Sequence, residues 1–292
     1  MRNNLEERFE QLKNKPQLED LPKVEVQKDL LSFPNPTILV DLPSKGKSYP
    51  EGHPLNNKTY VEIKEMTAKE EDILTNKSYI RKGLLIEKLV ESLLVDKSIP
   101  VSTLLVGDKN AIMVAARISA YGANYDVTVN CSSCGSKNIL SIDLTEAKLK
   151  TTPEDLKQAI PEVSSITQLE NGNILLLLPK TNWIVECKMM TGVDERKILG
   201  IIEQKKNKND NSSELAISEQ LKLIIVSINS VFDEEMINNA VDVMPAYDAK
   251  ILRNTYQRVI PNMVIEKHYV CSSCAEEQDL EVPFTQEFFW PK

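Results

Sequence analysis

Apolar residues along this chain fall into two registers, one of helical period and one that alternates. Leu85, Leu89 and Leu93 recur every four residues with Ile86, Val90 and Leu94 beside them, a broad stripe that predicts a core helix. Ala111, Ile112, Ala115 and Ile118 follow Asp108, and Ile251, Leu252 and Thr255 follow Asp248; each set predicts a helix with the aspartate as its cap. Leu221, Ile224, Ile225 and Ile228 form a further stripe of the same kind. Alternation at Tyr125–Val129, Ile139–Leu144, His268–Val270 and Leu280–Val282 predicts short strands. Thr67 with Glu70 three residues later has the form of a capping box, and Thr191 with Asp194 offers a weaker version.

These elements recur in order. Val61-Glu-Ile-Lys-Glu-Met-Thr67 and Val185-Glu-Cys-Lys-Met-Met-Thr191 agree at five of seven positions, 124 residues apart. Ile38–Pro43 answers Ile174–Pro179 at an offset of 136, and an offset of 140 pairs Asp108 with Asp248, Ile112 with Leu252, Cys131 with Cys271 and Ile142 with Val282. Drifting offsets with a kept order describe a diverged duplication. The expected fold is therefore α+β, in two repeat halves of strands, helices and one cysteine hairpin each. The halves are residues 36–145 and 172–292, joined by a linker at 146–171 and preceded by a charged arm at 1–35. The arm carries Pro16, Pro22 and Pro34, with only Leu5, Phe9 and Leu12 at helical spacing, which fits a segment ordered against a partner or a disordered tail. Glu203–Ser213 has no apolar residue and predicts a surface loop.

A chain of 292 residues, 41% hydrophobic, is long enough to bury a core without a covalent staple. Its net charge of −8 argues against a nucleic-acid footprint, and no apolar run approaches a membrane span or a signal h-region, so a soluble, unsecreted protein is expected. Four of the five cysteines form two Cys-x-x-Cys pairs, Cys131 with Cys134 and Cys271 with Cys274, each between alternating strands. A two-residue spacer lets both thiolates of a turn face one ion, and two such turns supply the four ligands of a closed tetrahedral site, so one structural Zn2+ per chain is the reading. Redox pairs of this spacing usually open a helix, and disulfides suit an oxidising compartment. Cys187 answers Ile63 in the repeat and reads as a small buried hydrophobe, while His268 reads as a strand-surface residue.

The chain has two histidines and none of the phosphate-loop, zinc-protease or nucleophile-elbow motifs, so no catalytic residue is assigned and no enzyme is expected. Phe288, Phe289 and Trp290 place three rings together in a chain that is 5% aromatic. They are candidates for a partner-binding anchor, or for a tail folded back on its own core.

Several segments together resemble the baseplate hub and hub-assembly proteins of T4-like contractile-tailed phages. They are Leu42-Pro-Ser-Lys-Gly-Lys-Ser-Tyr-Pro50, Met66–Leu74, Leu105–Asn110 with Ala115–Gly122, both cysteine pairs, and the ending Val282–Pro291. The resemblance covers residues 36–291. It implies a role in building the central hub, as a retained subunit or as a factor that promotes assembly and leaves, with other hub proteins as partners. The place implied is the host cytoplasm during assembly and the tail baseplate of the virion. The alternative is a cellular zinc-ribbon adaptor that binds nucleic acid or a nucleic-acid machine, against which the acidic balance counts; a thiol oxidoreductase is a third.

Overall fold

Strand formation begins where alternation is cleanest. In the computed structural model, which describes residues 35–154, 156–207, 217–282 and 286–289, β1 (Thr37–Asp41) pairs antiparallel with β2 (Tyr60–Lys64). Val40 faces Val61 across the pair, and Val40, Val61 and Ile63 are buried while Leu39 and Tyr60 are exposed. Thr67 then starts α1 (Ala68–Thr75), with Glu70 reaching back to accept from its amide at 2.9 Å and its hydroxyl at 2.6 Å. After α2 (Lys77–Arg81), the leucine stripe forms α3 (Leu85–Leu93), burying Leu85, Leu89, Val90 and Leu93.

The next helix, α4, runs Val106–Tyr121, so it starts two residues before Asp108. Leu105 is its N-cap, and Asp108, in the first turn, turns its carboxylate away from the helix amides and onto the β1–β2 connection. That corrects the expectation of a capping aspartate: tertiary donors have taken the place of the local helix amides. Hairpin β3 (Asn124–Asn130) with β4 (Lys137–Asp143) follows.

The interval expected as a linker contains paired structure. It holds β5 (Lys148–Lys150), the short helix α5 (Leu156–Ala159) and β6 (Ile166–Gln168). Strand β6 opens a four-stranded antiparallel sheet with β7 (Ile174–Leu177), β8 (Ile184–Cys187) and β9 (Ile225–Ile228), in that order. Strand β9 departs from the expected helical stripe. Helix α7 (Ile217–Ile224) ends at Ile224, and the β-branched run from Ile225 pairs with β8, Ile228 facing Val185. Between β8 and α7, helix α6 (Gly192–Asn207) carries the first part of the expected surface loop; residues 208–216, which hold its remainder, lie outside the described residues, as do residues 1–34 of the arm.

Helices α8 (Glu234–Asp242) and α9 (Ala246–Val259) lead to β10 (Asn262–Val264), which pairs with β5, and then to hairpin β11 (Glu266–Val270) with β12 (Glu277–Glu281). Helix α9 repeats the offset seen in α4: it starts at Ala246, so Asp248 sits inside its first turn. One hydrophobic core joins residues from Val40 to Phe289. Gly107 is what lets α4 lie against the chain entering β10, because a Cβ there would stand 2.1 Å from the Pro261 carbonyl oxygen.

Candidate metal centre

Both cysteine pairs sit in turns of one design. The Cys131 amide donates to the Ser136 carbonyl at 2.9 Å and the Gly135 amide returns to the Cys131 carbonyl at 2.9 Å. In the other hairpin Cys271 donates to the Glu276 carbonyl at 2.9 Å, and Ala275 to Cys271 at 3.0 Å. The turn closes in the left-handed region, at φ 72° for Gly135 and φ 58° for Ala275. In each turn the first cysteine is buried and the second exposed.

The hairpins bring all four thiols together. Their sulfurs lie within 4.8 Å of one another, with Cys131 Sγ to Cys274 Sγ at 3.6 Å and Cys134 Sγ to Cys271 Sγ at 3.8 Å. A tetrahedral ion with metal–sulfur bonds of ~2.3 Å requires sulfur separations of about 3.8 Å, so the cluster is close enough to hold a metal. The local fields are those of a thiolate site. A hydrogen bond from Ser136 Oγ, with the backbone amides of Cys274 and Ser273, pulls the Cys271 thiol down to about 5. The Cys134 amide lowers Cys131 in the same way. Cys274 moves oppositely: the Glu276 amide lowers it, but the crowd of neighbouring thiols led by Cys134, together with desolvation, holds it up to about 12. Without an ion the four cannot ionise together, because each new thiolate meets those already formed.

Two carboxamides, which the sequence reading did not single out, cross between the hairpins. Asn138 Oδ1 accepts from the Ser272 amide at 3.0 Å while its Nδ2 faces Cys271 Sγ at 3.6 Å. Gln278 Oε1 accepts from the Ser132 amide at 3.3 Å while its Nε2 donates to Cys131 Sγ at 3.1 Å. Each stands four residues after the second cysteine of its own pair, a spacing that is visible in the sequence once both hairpins are aligned.

A second pair of matched sites lies at the helix starts. Asp108 accepts from the Ser44 amide at 3.0 Å, the Ser44 hydroxyl at 2.6 Å and the Tyr49 hydroxyl at 2.9 Å. Burial pushes its carboxyl upward against the pull of those donors. Asp248 accepts from the amides of Lys180 at 3.0 Å and Thr181 at 2.9 Å. In both cases the donors follow a buried leucine and a proline, Leu42-Pro43 and Leu178-Pro179.

With this geometry in hand, residues 35–170 match the model of the family described as T4 bacteriophage base plate protein. Over that span the chain is similar to T4-like phage baseplate proteins. No curated protein and no solved structure matches it.

The remaining candidates fall elsewhere in the fold. Cys187 is buried in β8, where desolvation raises its thiol, and it takes no part in the cluster. His268 is exposed on β11, 2.8 Å from Asp279 Oδ1. Phe288 and Phe289 are fully buried in a 3-10 turn at Gln286–Phe289. Phe288 packs on Tyr125 with ring centroids 5.2 Å apart, and its carbonyl accepts from Arg117 Nε at 3.2 Å. These two rings therefore spend their surface inside the chain and offer no exposed anchor; Trp290 lies outside the described residues. No helix among the described residues is long and apolar enough to cross a membrane.

Proposed function

We propose that this chain is a non-catalytic part of the central hub of a contractile-tailed phage baseplate, as a retained subunit or as a factor that promotes hub assembly, and that it is held together by one structural Zn2+ on Cys131, Cys134, Cys271 and Cys274. The observation that carries the reading is the four-thiol cluster in a chain whose residues 35–170 match the baseplate family. Four clustered thiols favour Zn2+ among common divalent ions, because soft thiolates select it and its filled d shell accepts a tetrahedral geometry without penalty. Four protein ligands leave no position for water, which suits a staple and not a Lewis acid. Partners are other hub proteins, contacted through surfaces on this fold.

The same reading takes the fold as two diverged repeat halves, 36–145 and 172–292, that share the metal. It is supported by the parallel placement of β1–β2 and β7–β8, of Thr67 and Thr191 ahead of α1 and α6, and of Asp108 and Asp248 against a Leu-Pro turn. Two measurements test the proposal. Mass spectrometry of purified virions and of hub intermediates from infected cells is expected to find the chain in one or both, and its absence from every tail fraction overturns the hub assignment. Elemental analysis of the purified chain is expected to give one zinc per molecule; four free thiols with an intact fold overturn the metal assignment.

A further inference from the structure

We propose that Asn138 and Gln278 are positioning residues of the metal centre, each closing it from the opposite hairpin, so that a thiophilic divalent ion is gripped fully only when both hairpins have docked. The inference rests on the metal reading above and deepens it. Each carboxamide reaches across to the opposite hairpin. Its oxygen takes the amide of the first serine after the other hairpin's leading cysteine, Ser272 for Asn138 and Ser132 for Gln278. Its nitrogen is directed at that same leading cysteine, Cys271 Sγ at 3.6 Å and Cys131 Sγ at 3.1 Å. A carboxamide is the one short neutral side chain that offers an acceptor and a donor on adjacent atoms, so it can hold a turn and face its sulfur at once.

The surroundings fix both groups. Asn138 is buried, and Ser272 Oγ also donates to its oxygen at 2.9 Å while its nitrogen reaches the Ser136 carbonyl at 3.2 Å. Gln278 Oε1 accepts in addition from the Tyr269 hydroxyl at 2.9 Å. Four thiolates on a divalent ion leave two excess negative charges, and a donor aimed at a ligand sulfur disperses that charge. Outer partners of this kind orient metal ligands and change affinity when removed. The two sulfurs served are the buried ones, where solvent supplies least compensation.

Reversing the donor while keeping the acceptor separates this role from a purely structural one. Asn138→Asp and Gln278→Glu keep an oxygen for the serine amide but turn an oxygen toward the sulfur. In the full chain, competition for Zn2+ against a chromophoric chelator is expected to show about a 10- to 100-fold loss of affinity in each variant. The thiolate-to-metal charge-transfer band of the Co2+-loaded chain is expected to shift in each as well. Variants that fold as the parent by circular dichroism, with unchanged affinity and an unchanged Co2+ band, overturn the proposal while leaving the metal centre standing. A loss at only one of the two positions overturns the reciprocal arrangement. A parent chain that takes up neither Zn2+ nor Co2+ overturns the metal reading and this inference together. Should Asn138→Asp not fold, Gln278→Glu, at the less buried position, decides the matter.

Discussion

The two cysteine hairpins differ at the residue that closes each turn. Gly135 and Ala275 occupy the same left-handed conformation, which glycine adopts freely and alanine adopts at a cost of about 1 kcal/mol. The second hairpin holds its shape against that cost, so the shape is dictated from outside the turn, by the Asn138 contact with Ser272 and by the thiols it must face. The same contrast runs through the rest of the fold. Between β1 and β2 the chain takes residues 42–59, with Ser44, Tyr49 and His53 built into the connection, whereas residues 178–183 suffice between β7 and β8. The region matched to the baseplate family is the one with the longer, more elaborated connection.

The strongest way to break the comparison is to remove one hairpin's ligands at a time. Cys131→Ser with Cys134→Ser, and separately Cys271→Ser with Cys274→Ser, are each expected to abolish zinc in elemental analysis. Each should also lower unfolding free energy in denaturant titrations by roughly 3 kcal/mol or more, because the binding energy of a structural ion is folding energy. Retention of metal by either variant would show that the hairpins are not equal contributors. The aspartates come next. Asp108→Ala strands three buried donors and Asp248→Ala two amides, so losses of about 2–4 and about 1–3 kcal/mol are expected, in that order, from the same titrations.

A smaller effect should separate the turns themselves. Gly135→Ala is expected to cost, and Ala275→Gly to gain, about 1 kcal/mol in the metal-loaded chain by thermal melting. No backbone or side-chain atom stands within 4 Å of a Cβ at Gly135, so conformation alone is at issue there. The smallest effect belongs to His53, a feature of the longer connection. Its Nδ1 accepts from the Leu55 amide at 3.1 Å and its Nε2 meets Thr103 Oγ1 at 2.8 Å, which requires the neutral ring. Desolvation lowers its value below the ordinary 6.5. A depressed value means that stability is full above 6.5 and falls as pH drops below it toward the folded value. His53→Gln should flatten that part of the pH–stability curve measured by denaturant titration, and an unchanged slope would assign the acid loss to other groups.

Legibility followed the range of the interactions. Thr67 with Glu70, the leucine stripe of α3 and the alternation of β3, β4 and β12 are local patterns, and the structure has each where the chain announces it. The four cysteines were readable because ligand chemistry admits few arrangements. What escaped depends on distant partners. Asp108 looks like a cap until Ser44 and Tyr49 stand beside it, and Ile225–Ile228 reads as helix until β8 offers an edge to its β-branched residues. Strands β5 and β6 are three residues each, too short for alternation to register. For Phe288 and Phe289 the composition leaves an anchor and a folded-back tail both open, and the contacts with the Tyr125 ring and the Arg117 guanidinium place them in the core.

Arg117 bears on how the chain is made. Its guanidinium is buried and holds the carbonyls of Gly122 at 3.0 Å and Phe288 at 3.2 Å, groups separated by both hairpins, a four-stranded sheet and five helices. During synthesis α4 and β3 leave the ribosome long before Phe288 does, so Tyr125 and Arg117 wait uncovered while the intervening residues are added. A nascent chain broken off before that point displays an unfilled aromatic socket beside two unmatched thiols, Cys131 and Cys134. Such a fragment is marked for chaperones and proteases by its own surface, and only a polypeptide translated through Phe289 can hide the mark.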